Sequence, residues 1–204
     1  MIKRALISVS NKHGLEGLVR VLMEFNVEII ASSGTASMIK SLGYENVLEV
    51  SEFTGHEESP EGLLKTLHPK IHGGVLLDRD DPEHKRYMER NSIQPIDLVV
   101  VNLYPFEEVV KKKGDLTEAV RNIDIGGPAM IRSAAKASLL FNRVSVIVDP
   151  SQYDEFIHIL RVNQGSIPLK FKRRLAAKAF KRTAEYEAAI DAYLRRILQG
   201  EWDE

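Results

Sequence analysis

Short apolar runs alternate along the chain with segments in which the apolar residues have helical spacing. Four runs predict buried strands, at residues 5–9, 27–31, 97–103 and 144–148. Residues 15–25 instead repeat their apolar positions three and four apart, which is the periodicity of one helix face. Strands that alternate with helices in this way predict a parallel sheet with helices on both of its faces.

Weaker signals complete the pattern. Residues 47–50 and 75–77 predict two further strands, and a short helix over 35–42 ends at Gly43, a residue suited to a helix C-terminus. Polar residues 82–90 predict another helix, and residues 168–198 form a long helical segment that begins strongly basic. We therefore expect one α/β domain, with a core over residues 1–150 and a C-terminal helical extension over 151–204.

The composition narrows the function classes. The 204 residues carry a net charge of -1, so the charge balance points neither to nucleic acid nor to a membrane surface. The chain has no cysteine, which excludes disulfides, thiolate nucleophiles and cysteine-based zinc sites. The N-terminal apolar run is too short for a signal peptide, and no stretch reaches the length of a membrane span. We expect a cytoplasmic protein.

The segment DIGGPAMIRSAAK, residues 124–136, is the strongest indication of chemistry. Asp124 stands before a Gly-Gly-Pro sequence that suits the first turn of a helix, and the alanines that follow favour that helix. Arg132 and Lys136 lie four apart and so project from one face of the helix. An acid, exposed backbone donors and two cations suit an anionic substrate and a proton transfer. The alternative is an ordinary helix with a solvated charged face.

Two polar loops follow the first two predicted strands. After the first, Ser10 and Lys12 can bond phosphate oxygens beside the free N–H groups of the next helix; the alternative is a helix start capped by Ser10 or Asn11. The second loop lacks the Gly-Lys-Ser/Thr ending of a Walker motif, and a helix cap is again the alternative. Its hydroxyls and flexible glycine nevertheless predict a phosphate cradle formed by Ser32, Ser33, Gly34 and Thr35.

Two further segments carry polar side chains. KTLHPKIHGG predicts a loop in which Lys65, Thr66 and His68 contact a ligand. A metal pair of His68 and His72 is less favoured, because Pro69 between them opposes a regular helix. In NLYPF, Asn102 and Tyr104 lie at the carboxyl end of the strand over 97–103 and can hydrogen-bond a polar ring. The alternative is a turn in which the aromatic residues pack.

These segments, in this order and with the tail motif LAAKAFKRTAEYEAAI, resemble the IMP cyclohydrolase domain of the bifunctional enzyme that ends purine biosynthesis. The resemblance spans essentially the whole chain. It implies a methylglyoxal-synthase-like, Rossmann-like α/β fold. It also implies closure of 5-formamidoimidazole-4-carboxamide ribotide (FAICAR) to inosine monophosphate (IMP) with loss of water, without metal or cofactor.

The resemblance also implies the roles of individual residues. Lys136 would be the catalytic acid/base. As a hypothesis for the mechanism, Asp124 polarises or deprotonates the attacking amide and cationic Lys136 stabilises the developing oxyanion, while Lys65 and Tyr104 complete the catalytic group. Whether Asp124 or Lys65 partners Lys136 stays open. The residues expected to bind the substrate are Ser10, Asn11, Lys12, Ser32, Ser33, Gly34, Thr35, Lys65, Thr66, Asn102, Asp124, Ile125, Gly126 and Gly127.

The chain departs from the family in several places. Leu63 stands where many members have an arginine, so one phosphate or ribose contact falls to another cation such as Lys12, and Ala137 stands where many have asparagine. We expect this chain to lack the formyltransferase domain, so the resemblance implies no folate, and both a stand-alone enzyme and an excised domain stay open. A homodimer and a separate enzyme that supplies the formylated nucleotide are further expectations.

Three other functions were weighed against this one. A methylglyoxal synthase, which eliminates phosphate from a triose phosphate, would share the fold and the phosphate loops. A non-catalytic nucleotide-sensing module, like the regulatory domain of carbamoyl phosphate synthetase, would leave Asp124 and Lys136 without a role. Nucleic-acid binding by the basic segment 170–182 is least favoured, because the rest of the chain cancels its charge.

Overall fold

The computed structural model describes residues 1–104, 106, 108 and 116–199. Pro105 of the NLYPF motif and residues 200–204 of the predicted extension therefore lie outside the described residues. Within the described part, the strands build one sheet in the order β3-β2-β1-β4-β5, and every pairing is parallel. The strands are β1 (Arg4–Val9), β2 (Glu28–Ala31), β3 (Val47–Glu49), β4 (Leu98–Asn102) and β5 (Ser145–Ile147).

Helices connect and cover these strands. Every residue of β4 and β5 is buried, as expected for strands covered on both faces. The α/β fold class predicted from the sequence is confirmed. The predicted strands are confirmed as well, except the one at 75–77. The helices are α1 (Leu15–Glu24), α2 (Ser33–Ser41), α3 (Val50–Thr54), α4 (Pro69–Leu76), α5 (Pro82–Arg90), α6 (Leu116–Arg121), α7 (Gly126–Phe141), α8 (Tyr153–Val162) and α9 (Leu169–Ile197).

The predicted strand at 75–77 and most of the predicted loop around His68 are wrong, because α4 occupies this part of the chain. Pro69 is the first residue of the helix, where its missing N–H costs nothing. His68 is the N-cap, and its Nδ1 accepts a hydrogen bond from the backbone N–H of Lys70 at 3.1 Å. Pro69, which was expected to oppose a helix, therefore begins one.

Helix α7 forms the link between the sheet and the C-terminal extension. It packs against β4 and β5 and, on another side, against α9. Its buried residues include Ala134, Ala135 and Ala137, whose small side chains let the neighbouring elements approach closely. Helix α8, which the sequence analysis did not predict, packs against α1. Among the described helices none is long and apolar enough to cross a lipid bilayer.

Candidate active site

The order of the strands creates an opening at the carboxyl ends of the two central strands, β1 and β4. Within the sheet, β2 and β3 lie on one side of β1, whereas β4 and β5 lie on its other side. Open α/β sheets bind ligands where the strand order reverses in this way. A cleft of about 300 Å³ lies there. The predicted site residues that line it are Ser10, Lys65, Thr66, Asn102, Tyr104, Asp124, Ile125, Gly126 and Gly127.

Asn102, the last residue of β4, holds the loop that follows β1. Its Oδ1 accepts hydrogen bonds from the backbone N–H groups of Ser10 at 2.8 Å and Asn11 at 3.0 Å, and from the Ser10 hydroxyl at 2.9 Å. Its Nδ2 donates to the carbonyl of Asn11 at 2.7 Å. The amide of Asn102 thus shapes the wall of the cleft. The N-cap of α1 is Gly14, so neither Ser10 nor Asn11 caps that helix.

The loop before α2 is tied to the first loop by a lysine. The Nζ of Lys12 donates to the carbonyl of Gly34 at 2.9 Å. The Ser32 hydroxyl donates to Oγ1 of Thr35 at 3.2 Å instead of capping α2, and no side chain caps this helix end. Exposed N–H groups at a helix N-terminus beside a cation favour an anion such as a phosphate.

Lys65 connects this loop to the main cleft. It lines the cleft and also a smaller cavity that it shares with Ser32, Ser33 and Glu58. Its Nζ lies 3.2 Å from Oε1 of Glu58, and the Ser33 hydroxyl donates to the other oxygen of Glu58 at 3.3 Å. Lys65 is therefore a cation within reach of both the phosphate loop and the cleft.

Asp124 is the acid of the cleft. Its Oδ1 accepts a hydrogen bond from the backbone N–H of Gly127 at 2.7 Å, so the carboxylate covers the start of α7. Burial raises the pKa of the Asp124 carboxyl, and the Gly127 N–H and the charge of Lys65 oppose that rise. A carboxylate with a raised pKa is a stronger base than an ordinary aspartate.

The two glycines after Ile125 are required by close packing. A side chain at Gly126 would overlap the hydroxyl of Thr66. A side chain at Gly127 would overlap the Asp124 carboxylate, and its Cβ would lie 2.6 Å from Cδ2 of Leu103. The Gly-Gly opening therefore lets the helix end approach both the acid and the neighbouring loop.

Exposed residues form the rim of the cleft. Tyr104 is 40% exposed, Ile125 is 60% exposed and Leu63 is 64% exposed. Leu63, the departure from the family pattern, thus lines the cleft with an apolar side chain instead of a cation.

Lys136 is not brought to this cleft. It lies ten residues after Gly126 on α7, which corresponds to roughly 15 Å along the helix axis. Its side chain is exposed, and it lines a different surface groove together with Arg132, Leu139 and Phe180. The buried face of α7 carries alanines and Ile131, so the opposite, charged face points away from the sheet.

The two histidines weighed as a metal pair have other partners. His68 caps α4, and Nδ1 of His72 lies 3.0 Å from the hydroxyl of Ser133. In the part of the chain that the structure describes, no group of three or more His, Asp or Glu residues could hold a metal ion.

Sequence reasoning missed three residues of the site region. Glu58 pairs with Lys65. The hydroxyl of Tyr186, on α9, accepts a hydrogen bond from the backbone N–H of Asp124 at 2.8 Å. Tyr153, on α8, is buried. Burial and the charge of Asp149 raise the pKa of its hydroxyl to about 12, although a hydrogen bond with Asn102 acts in the opposite direction. Only the tail motif, which contains Tyr186, gave a signal for any of them.

Comparison with known proteins divides the chain into two matched parts. Residues 14–129 match the model of the MGS-like domain family, and residues 134–204 match the model of the AICARFT/IMPCHase bienzyme family. The solved structure of ForH has a TM-score of 0.80 with 29% identity, and the superposition covers 94% of this chain and 98% of that one.

Curated relatives are bifunctional purine biosynthesis proteins named PurH. The protein of Brucella canis is 48% identical over 98% of this chain, and that of Trichormus variabilis is 50% identical over 98%. The chain spans 36% and 39% of their lengths, so it corresponds to little more than a third of each relative. The chain belongs to the family of MGS-like domains, and its resemblance to the cyclohydrolase part of the bifunctional purine enzyme is confirmed.

Proposed function

We propose that this chain is an IMP cyclohydrolase, which closes FAICAR to IMP with loss of water. The observation that carries the proposal is one cleft, at the carboxyl ends of β1 and β4, that holds Asp124 and Lys65 between a phosphate-type loop and the start of α7. The PurH names of the relatives and the AICARFT/IMPCHase match support the same reaction.

The reaction is an intramolecular condensation. The carboxamide nitrogen attacks the formyl carbon, and a tetrahedral carbon forms that carries the former formyl oxygen. That oxygen leaves as water, having gained one proton from the attacking nitrogen and one from the formamide nitrogen, while the carbon–nitrogen double bond of the ring forms. The enzyme must therefore remove a proton from a weak nucleophile and support charge on the oxygen.

Asp124 is suited to accept the first proton. Burial raises the pKa of its carboxyl, which makes the carboxylate a better base, and the hydrogen bond from Gly127 fixes one of its oxygens. A positioned general base contributes about 10²–10⁴-fold to a rate. Because this base must be ionised, turnover should fall as the pH drops through its raised pKa.

Lys65 is suited to support the developing oxyanion. It is the cation whose charge acts on Asp124 and which lines the cleft. Preorganised donors aimed at a developing charge are usually the largest single catalytic contribution. The Gly127 N–H is engaged by Asp124, and the backbone N–H of Gly126, which also lines the cleft, would assist Lys65. Tyr104, at the rim, completes the catalytic group of the proposal.

The phosphate of the substrate would bind at the first two loops. The uncapped start of α2 and the ammonium of Lys12, which donates to Gly34, provide donors and positive charge at this edge. Binding energy at this remote end can hold the imidazole ring over Asp124 and Lys65. The other predicted contacts also belong to this binding proposal. They are Ser10, Asn11, Ser32, Ser33, Thr35, Thr66, Asn102, Ile125 and Gly127.

Lys136 is left outside the reacting groups in this proposal, because its exposed side chain lines another groove. With the reaction we carry over three expectations from the sequence: a cytoplasmic setting, a homodimer, and a separate enzyme that formylates the precursor. A methylglyoxal synthase and a nucleotide sensor are not favoured, since the relatives are named for purine biosynthesis and the second family match covers the C-terminal helices.

The test is to incubate the purified chain with FAICAR, without metal or folate, and to follow IMP formation by ultraviolet absorbance and chromatography. A parallel incubation with dihydroxyacetone phosphate is assayed for methylglyoxal. We expect IMP from the first and no product from the second. Methylglyoxal release, or tight nucleotide binding without IMP formation, would overturn the proposal.

A further inference from the structure

Tyr186 lies inside the protein, yet its hydroxyl reaches the candidate active site. It is on the buried face of α9 and is 1% exposed. Its ring meets the edge of Phe106, with centroids 6.5 Å apart and planes at 77°. A buried tyrosine hydroxyl usually has a hydrogen-bond partner, and here that partner is the backbone N–H of Asp124, 62 positions earlier in the chain.

This hydrogen bond holds Asp124 at its backbone, in addition to the hydrogen bond at its carboxylate. The backbone N–H of Asp124 is held by Tyr186 at 2.8 Å, while the carboxylate is held by Gly127 at 2.7 Å. The residue is therefore attached at two points, one on its backbone and one on its side chain. Removing the Tyr186 oxygen would leave a partly buried N–H without its acceptor, and such groups are costly.

The two groups also influence each other electrostatically. Burial raises the pKa of the Tyr186 hydroxyl, and the negative charge of Asp124 adds to that rise, against the hydrogen bond from the Asp124 N–H and the charge of Arg182. The hydroxyl therefore keeps its proton over the range in which an enzyme works. It acts as a neutral, fixed dipole beside the acid.

We propose that Tyr186 is a positioning residue for Asp124, so that the C-terminal helix α9 is part of the catalytic unit. The inference rests on the proposed function for the role of Asp124 in the reaction. It goes beyond that proposal because Tyr186 does not line the cleft and acts through the acid alone.

The test compares Tyr186→Phe with Tyr193→Phe. Tyr193 lies on the same helix, is 7% exposed and also packs edge-on against Phe106, at 5.5 Å. Both substitutions remove one tyrosine hydroxyl from α9, but only the first removes the acceptor of the Asp124 N–H. Misplacement of a reacting group by about 1 Å can cost roughly 10²-fold in rate, so we expect Tyr186→Phe to lower kcat by about 10-fold or more with little change in KM. Tyr193→Phe should leave both values near wild type.

A second measurement separates this inference from the proposed reaction. The carboxyl resonance of isotope-labelled Asp124 is titrated by NMR without substrate in the wild type and in both variants. We expect its apparent pKa to move in Tyr186→Phe and to stay in place in Tyr193→Phe. If the wild type forms no IMP, the proposed function fails and this titration alone decides the inference. Equal behaviour of the two variants in the titration overturns it.

Discussion

Replacing Gly127 by alanine should damage the site although it adds only one methyl group. The new Cβ would overlap Oδ2 of Asp124 and lie 2.9 Å from its Cγ and 2.6 Å from Cδ2 of Leu103. The carboxylate cannot simply rotate away, because its other oxygen accepts the hydrogen bond from the Gly127 N–H. After the substitution, either the helix end or the carboxylate of Asp124 must therefore move.

The size of the effect follows from opposing contributions. A hydrogen bond to a charged group is worth about 1.5–3 kcal/mol, and overpacking typically costs about 1–3 kcal/mol. Alanine is favoured over glycine inside a helix by about 1 kcal/mol. We expect a net loss of about 1.5–5 kcal/mol in the free energy of unfolding, and each kcal/mol lowers the melting temperature of a domain of this size by about 2–4 °C.

The matched control is Gly17→Ala, in the interior of α1. A Cβ there would make an ordinary contact, 3.6 Å from Cδ1 of Ile157, so this variant should gain about 0.5–1 kcal/mol. Thermal melts and turnover of FAICAR are measured for both variants. Gly127→Ala should lose stability and turnover while Gly17→Ala loses neither. Wild-type turnover in a fully stable Gly127→Ala protein would refute the account of how Asp124 is held.

Three further predictions concern charged groups. Asp124→Asn should be at least as stable as the wild type near neutral pH, because a raised pKa means that the ionised carboxylate destabilises the fold increasingly as the pH rises from the unfolded pKa through the folded one. Asp81→Asn should instead destabilise the fold at neutral pH. Hydrogen bonds from backbone N–H groups lower the pKa of the Asp81 carboxyl, so its ionised form stabilises the fold above the pKa of the unfolded chain, and this contribution is lost as the pH falls through the folded pKa. Melting temperatures from acid to neutral pH that change in the same direction in both variants would contradict this. Lys65→Met should reduce kcat far more than Lys136→Met, and steady-state kinetics with the opposite order would show that a group outside the cleft takes part. Lys12→Met should mainly raise KM, since its ammonium joins the two phosphate-type loops; a pure loss of kcat would count against that role.

The sheet could be predicted from sequence because its signals are local. Short, mainly apolar runs predicted β1, β2, β4 and β5 to within a residue or two at their ends. Helix α4 was missed because Pro69 was read as an obstacle, although the same residue at the first helical position, after a capping His68, starts a helix. Gly74 of α4 lies against the backbone carbonyl of Gln94, an approach between distant segments that no local pattern reveals.

The candidate site was predictable where it depends on the ends of strands. Ser10 follows β1, Asn102 ends β4 and Asp124 precedes α7, and a parallel sheet brings such positions together. The direction of Lys136 depends on which face of α7 is buried, and the structure shows that this face carries Ala134, Ala135 and Ala137. The bond from Tyr186 to Asp124 joins residues 62 positions apart, and only the three-dimensional structure reveals it.

The most direct test of the account is the rate of IMP formation by Asp124→Asn beside Asp81→Asn. Both aspartates accept hydrogen bonds from backbone N–H groups at the start of a helix, but only Asp124 lines the cleft. We expect Asp124→Asn to lower kcat by about 10²–10⁴-fold and Asp81→Asn to turn over FAICAR at the wild-type rate. Near-normal kcat in a folded Asp124→Asn protein would contradict the claim that Asp124 is the base of a cyclohydrolase.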